Sequence, residues 1–230
     1  MQISAVLLDL DGTLLDTIPD LADAANAMRA EFGMPPLAQA IIATYVGKGT
    51  ENLVARTLSA QAAQTALPAV ALADGLRVFG DHYHRINGRS ATLYPGVLQG
   101  LEAFKTMGVK LAVVTNKPTE FTLPLLAQCG IARYFQAVVC GDTCEHRKPH
   151  PLPLLHACRL LGVTPDQAIA IGDSVNDALA ARAARIKVLA VPYGYNEGQD
   201  VRTLEVDDIV TSIDHAASWV AGHKKKFQKP

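Results

Sequence analysis

The 230-residue chain is poor in several things. It has four cysteines (Cys129, Cys140, Cys144 and Cys158), one tryptophan and no excess of either charge: 21 Lys and Arg against 22 Asp and Glu leave a formal net charge of -1. Four scattered cysteines do not make a disulfide scaffold. Without a basic excess the chain is not expected to bind nucleic acid in general. The longest uncharged stretch, Thr57–Ala73, is broken by Ser59, Gln61, Gln64, Thr65 and Pro68, so no membrane span is expected. Met1-Gln2-Ile3 offers no basic region ahead of an apolar run, so no signal peptide is expected either. Among the seven histidines none pairs with a Ser or Cys in a recognisable nucleophile arrangement. Cys140 and Cys144 lie close before His146 and His150, but that spacing fits no standard structural zinc site. What remains is globular composition, 49% hydrophobic and 19% charged. The expectation is a soluble, reduced, cytoplasmic protein: one domain with an insertion, or two small ones, and a monomer or homodimer.

Two textures alternate along the chain. Ile3–Leu10, Val109–Thr115, Ala137–Cys140, Ala168–Ile171 and Lys187–Val191 are short runs, apolar on both faces, that end at polar or Gly residues. Buried parallel strands read this way. Between them, helical stretches Val97–Met107, Phe121–Cys129 and Leu154–Leu161 each stop at a glycine. Alternating strands and helices predict right-handed crossovers and an α/β fold, a doubly wound parallel sheet covered on both faces. Residues 16–92 are the exception, with helical spacing and no convincing strand. Thr17 can cap a first helix with Asp20 three residues on. Apolar spacing runs from Ile18 to Phe32, and further helices are expected at Leu37–Tyr45, Glu51–Ser59 and Val70–Ile86. The reading is a core of residues 1–15 and 93–230 with a helical insertion at 16–92. The Lys-rich tail His223–Pro230 reads as a solvated or frayed end.

Ligands of doubly wound sheets bind beyond the carboxyl ends of the strands. There the sequence places Asp9-Leu10-Asp11-Gly12-Thr13, then Thr115-Asn116-Lys117, then Arg147-Lys148-Pro149, then Gly172-Asp173-Ser174-Val175-Asn176-Asp177. Asp9 and Asp11 are two apart in extended chain and share a side, while Leu10 faces the other way. Gly12 lets the backbone turn or approach a ligand closely. With Asp173 and Asp177 near, up to four carboxylates crowd together. Two unit charges 4 Å apart repel by about 4 kcal/mol at an effective dielectric of 20, so the cluster calls for a cation. An all-oxygen site beside a phosphate suits Mg²⁺.

These four segments, in this order and over nearly the whole chain, resemble the motifs of the haloacid dehalogenase superfamily. The helical insertion is similar to that superfamily's first type of cap domain. Val113-Val114-Thr115-Asn116-Lys117-Pro118, Tyr94-Pro95-Gly96-Val97 and Tyr193-Gly194-Tyr195-Asn196 look most like bacterial phosphoglycolate phosphatases. The resemblance implies a Mg²⁺-dependent phosphatase acting on a small phosphorylated metabolite. Asp9 would attack phosphorus, and Asp11 would act as general acid and then base. The Asp9 carboxylate, the Asp11 backbone carbonyl and Asp173 would hold the metal. Thr115 and the Asn116 amide would bind phosphoryl oxygens, Lys148 would neutralise charge, and Asp177 would anchor Lys148 or a metal-bound water. In the cap, Lys48 within Gly47-Lys48-Gly49-Thr50, with Arg56 behind it, is the candidate for a substrate carboxylate. A sugar-phosphate phosphatase or phosphomutase is the alternative among enzymes. A non-catalytic binding protein on the same scaffold is the alternative outside them, although it should have lost Asp9, Asp11, Lys148 or Asp173. Relatives usually carry Gly after the Ala-rich helix that follows Asp177; here Ala184-Arg185-Ile186 stands there.

Overall fold

A computed structural model describes residues 3–60 and 71–225. Strand β1 (Ala5–Leu8) comes first, followed by the two-residue β2 (Leu15–Asp16). Helices α1 (Ile18–Glu31), α2 (Gln39–Ala43), α3 (Thr50–Ser59) and α4 (Leu72–Ile86) follow, and β3 (Thr92–Leu93) returns antiparallel to β2. The remainder alternates: α5 (Val97–Thr106), β4 (Lys110–Val114), α6 (Thr119–Gln128), β5 (Ala137–Val139), α7 (Leu152–Leu161), β6 (Ala168–Gly172), α8 (Val175–Ala183), β7 (Lys187–Ala190), β8 (Asp208–Ile209) and α9 (Ile213–Lys225). Among the described residues β5-β4-β1-β6-β7-β8 form one parallel sheet.

Successive side chains of a strand point to opposite faces, and β1 shows what each face meets. Val6 and Leu8 enter an apolar cluster with Leu101 and Phe104 of α5, Leu125 of α6 and Val220 of α9. Ala5 and Leu7 enter the opposite cluster with Leu154 and Leu161 of α7 and Ala181 of α8. Helices α1, α3 and α4 close a third apolar core of their own around Met28, Val54, Phe79 and Tyr83, to which Phe121 of α6 also belongs. Burying each such side chain contributes roughly 1.5–3 kcal/mol, so every layer has its own source of cohesion. Since β1 lies between β4 and β6, with Leu8 level with both Val113 and Ile171, the segments after these three strands leave the sheet at one height.

The five expected strands are present, within a residue or two of their expected ends. The sheet has a sixth, β8, too short to leave an alternating signature, and Asp16 and Thr92 pair in strands where none was expected. The expected helix at Leu37–Tyr45 shrinks to α2. Val70 lies outside the described residues, and α4 begins at Leu72. The tail expectation holds no better at its start, since α9 runs through His223, which stacks on Trp219; residues 226–230 lie outside the description. Thr17 does stand at the N-cap of α1, but its side chain makes no cap hydrogen bond. It donates to Asp11 instead, at 2.6 Å. Asp20 is also no capping partner: its carboxylate accepts the backbone N–H groups of Gly88, Ser90 and Ala91 at 2.8–3.2 Å. In both cases a partner outside the helix start displaces the local motif: the Asp11 carboxylate takes the Thr17 hydroxyl, and three N–H donors of the returning chain take the Asp20 carboxylate.

The departure at Ala184-Arg185-Ile186 leaves the helix end intact. The Arg185 N–H donates to the Arg182 carbonyl and that of Ile186 to the Ala181 carbonyl, the paired bonds of a Schellman ending. Arg185 therefore occupies the left-handed position itself, with φ 58°. A side chain there costs about 1–2 kcal/mol, partly offset by the freedom glycine loses on folding. Arg185→Gly should raise Tm by about 2–4 °C in a thermal melt, for a net gain near 1 kcal/mol in a chain of this size; an unchanged or lower Tm would show that the turn is unstrained.

Candidate active site

Asp9 immediately follows β1, Thr115 follows β4 and Asp173 follows β6, so sheet register alone brings the three together. Lys148 arrives from the loop between β5 and α7. Its Nζ donates to Asp9 Oδ1 and to Asp177 Oδ1, both at 2.6 Å, with its side chain only 4% exposed. Asn116 holds that loop in place: its Oδ1 accepts the Lys148 N–H at 3.0 Å and its Nδ2 donates to the Lys148 carbonyl at 2.9 Å. The same Nδ2 donates to Gly47 O at 3.0 Å, tying in the turn between α2 and α3. Asp173 accepts from Thr13 Oγ1 at 3.1 Å and from the Tyr195 N–H at 2.7 Å. Gly12 has φ 88°, and a Cβ there would stand 2.4 Å from Asp173 Oδ2, so only glycine lets this turn lie against the carboxylate.

Carboxylate oxygens of Asp9, Asp173 and Asp177 lie within 4.8 Å of one another. Burial, assisted by Asp177, pushes the Asp173 carboxyl up to about 7. Asp9 is also raised well above the usual range, by burial first; Lys148 opposes this, while Asp177 and Asp173 add to it. For Lys148, burial works against the charged form, but attraction to Asp177 and Asp9 outweighs it and the ammonium is held more firmly than usual. One cation against three crowded carboxylates leaves the cluster short of positive charge. A donor set made only of hard oxygens, electrostatically strained without a further cation, fits a divalent metal. Asp177 has both oxygens in use, since Oδ2 accepts from Ser174 Oγ at 2.7 Å and from the Ser174 N–H at 3.2 Å. That leaves it suited to anchoring Lys148.

Asp11 stands apart from this cluster. Its Oδ1 accepts from Thr17 Oγ1 at 2.6 Å and from Lys117 Nζ at 3.1 Å. Lys117 in turn donates to the Tyr83 hydroxyl of α4 at 2.7 Å. The two aspartates thus have different cations, Lys148 for Asp9 and Lys117 for Asp11. Both line one cleft of ≈ 420 Å³ together with Thr115, Asn116 and Lys117 from the sheet side and Leu21, Val46, Gly47, Gly49, Thr50 and Leu53 from the helical side.

Lys48 does not line this cleft. Its Nζ lies 2.5 Å from Glu197 Oε1, and Arg56 Nη1 lies 3.6 Å from Glu197 Oε2 while its guanidinium sits over the Tyr45 ring. The expected cap cation is therefore engaged by a carboxylate of the core, and the cation that reaches the cleft beside Asp11 is Lys117. Lys117 carried a signal, two positions beyond Thr115 in the same strand-end segment. Tyr83 carried none, because an aromatic on an apolar helix face reads as core. All four cysteines are free, the His146 and His150 rings lie tilted against each other with centroids 4.3 Å apart, and among the described residues Asp9, Asp173 and Asp177 are the one compact set of side chains placed to hold a metal.

The family described as haloacid dehalogenase-like hydrolase matches residues 6–191. A phosphoglycolate phosphatase of Thiobacillus denitrificans is 46% identical over 220 residues, 96% of each chain. One of Nitrosospira multiformis is likewise 46% identical, over 224 residues and 96% of each chain. Among solved structures, a "predicted phosphoglycolate phosphatase" from Haemophilus somnus 129PT superposes with a TM-score of 0.91 at 32% identity, covering 95% of this chain and 98% of that one. Sheet order, strand-end carboxylates and these likenesses agree, and the chain belongs to the haloacid dehalogenase-like hydrolases.

Proposed function

We propose that the protein is a Mg²⁺-dependent phosphatase of small phosphomonoesters, with 2-phosphoglycolate as its substrate. One observation carries the reading: two aspartates two positions apart, each held by its own buried lysine in one cleft, can take different roles. Asp9, beside Lys148, is the nucleophile. Its carboxylate oxygen bonds to phosphorus as the ester oxygen departs, giving an aspartyl-phosphate and splitting one hard displacement into two. Asp11 gives a proton to the departing oxygen and then takes one from the water that attacks the acyl-phosphate. Thr115 and the Asn116 N–H bind phosphoryl oxygens, and Lys148 balances the charge on the nucleophile and the moving group. The Asp9 carboxylate, the Asp11 backbone carbonyl and Asp173 would hold Mg²⁺, which supplies the positive charge that lets two anions meet. Residues 16–92 serve as a cap that shields the reaction from water. The substrate assignment is supported by the names of the relatives. Among the described residues no helix is long and apolar enough to cross a membrane; the four free thiols suit a reducing cytoplasm.

Asp9→Asn should abolish turnover across a panel of phosphomonoesters with Mg²⁺ while its circular dichroism and Tm stay near wild type. The panel should include 2-phosphoglycolate, sugar phosphates and p-nitrophenyl phosphate. A near-normal rate in that variant would assign the nucleophile elsewhere, and a product in which phosphate has moved within a sugar would favour a mutase.

The carboxyl shifts give a second expectation. Unfolded carboxylates titrate near 4, whereas burial, assisted by Asp177, pushes the Asp173 carboxyl up to about 7. Between those values the unfolded chain binds fewer protons, so this group's contribution to stability falls as pH rises through that window. A bound cation relieves the penalty, and it binds better once the carboxylates are ionised. Mg²⁺ should therefore raise Tm more at pH 7.5 than at pH 5, and Asp173→Asn should lose most of the difference. Equal shifts at both pH values would remove the metal assignment.

A further inference from the structure

Tyr83 ties helix α4 of the cap to the acid–base half of the cleft through a hydrogen-bonded chain. It projects from α4 and is 1% exposed, held by stacking on Phe79 (ring centroids 5.4 Å apart) and by the edge of Phe121 (4.9 Å). Its hydroxyl accepts from Lys117 Nζ, which also lies 4.8 Å from its ring centre. Lys117 then meets Asp11 at 3.1 Å, and the Thr17 hydroxyl meets the same Asp11 oxygen from the start of α1. A lysine ends a flexible stem of four rotatable bonds, and buried among apolar groups it needs partners to fix its head in one place. Asp11 alone fixes one of its three N–H bonds. Tyr83 fixes a second.

We propose that Tyr83 is a positioning residue for the reaction: by holding Lys117 it sets where Asp11 presents its carboxyl, so that the cap completes the acid–base machinery as well as covering it. This rests on Asp11 being the acid and base, and it goes beyond that reading by assigning a cap residue to the chemical step. A purely structural tyrosine would contribute packing through its ring. The hydroxyl is what the proposal needs, and Tyr83→Phe removes only that.

The test compares wild type, Tyr83→Phe, Lys117→Met, the double variant and Asp11→Asn, with 2-phosphoglycolate and Mg²⁺. Tyr83→Phe should keep Tm near wild type, lower kcat about tenfold, as loss of a hydrogen bond to a charged group warrants, and leave KM within about threefold. The double variant should be no slower than Lys117→Met, because Tyr83 acts through that lysine. If Lys117→Met fails to fold, Lys117→Arg takes its place in the cycle, with the same non-additivity expected. An unchanged kcat in Tyr83→Phe, a rise in KM alone, or losses that multiply in the double variant would overturn the proposal. So would a fall in Tm with kcat preserved, which would assign Tyr83 to packing. Asp11→Asn separates the two levels. A near-wild-type rate there refutes the underlying role of Asp11, whereas an inactive Asp11→Asn beside a fully active Tyr83→Phe refutes only the role of Tyr83.

Discussion

Three carboxylates that cannot all be ionised comfortably share the buried ends of two parallel strands and one helix turn. Lys148 offsets part of their repulsion, and the register of β1 against β4 and β6 does not let them move apart. Much of the surrounding structure exists to hold that arrangement. Asn116 clasps the Lys148 loop through its main chain, Ser174 occupies one oxygen of Asp177, and Gly12 yields space to Asp173. A site kept short of positive charge in this way draws in a cation and, with it, an anionic substrate. Preplaced charge of this kind matters for phosphate monoesters, whose uncatalysed hydrolysis is among the slowest reactions known.

The helical insertion is joined to this centre by polar contacts that cross the fold. Tyr195 links the two directly: its backbone N–H fixes Asp173, and its hydroxyl accepts the Thr17 N–H at 2.8 Å and donates to Asp16 at 3.0 Å. Asp16 belongs to β2, which with β3 forms the two crossings into and out of the insertion. Asp20 gathers three N–H groups of the returning chain just before β3. Glu197, from the loop after β7, faces Lys48 and Arg56 on the other side. Tyr195 thus pins a crossing segment while also bonding Asp173, which couples the position of the helices to the shape of the cleft.

Much of this was legible in the sequence. Central strands of a doubly wound sheet are apolar on both faces, so β1, β4, β5, β6 and β7 stood out, and the polar residues at their ends marked the cleft. β8 and the β2–β3 pair have two residues a strand, too few for any period to register. Thr17 and Asp20 spelled a capping box, yet the Thr17 hydroxyl turns back to Asp11 and Asp20 bonds to residues 88–91, and helix-start spacing has no access to such competition. Lys48 resembled a free cap cation because nothing in its neighbourhood names Glu197, some 150 positions later. Tyr83 was hidden for the opposite reason: its ring does belong to an apolar core, and only its hydroxyl reaches beyond it.

The central claim is that Asp9 becomes covalently phosphorylated. Rapid acid quench of a single turnover with ³²P-labelled 2-phosphoglycolate, followed by peptide mapping, tests it most directly. The account predicts transient label on the peptide containing Asp9, with more of it accumulating when Asp11 is replaced by Asn and cannot activate water. Free phosphate appearing with no labelled peptide at any quench time, together with inversion of configuration at a chiral phosphorus, would show a single direct displacement by water and contradict it.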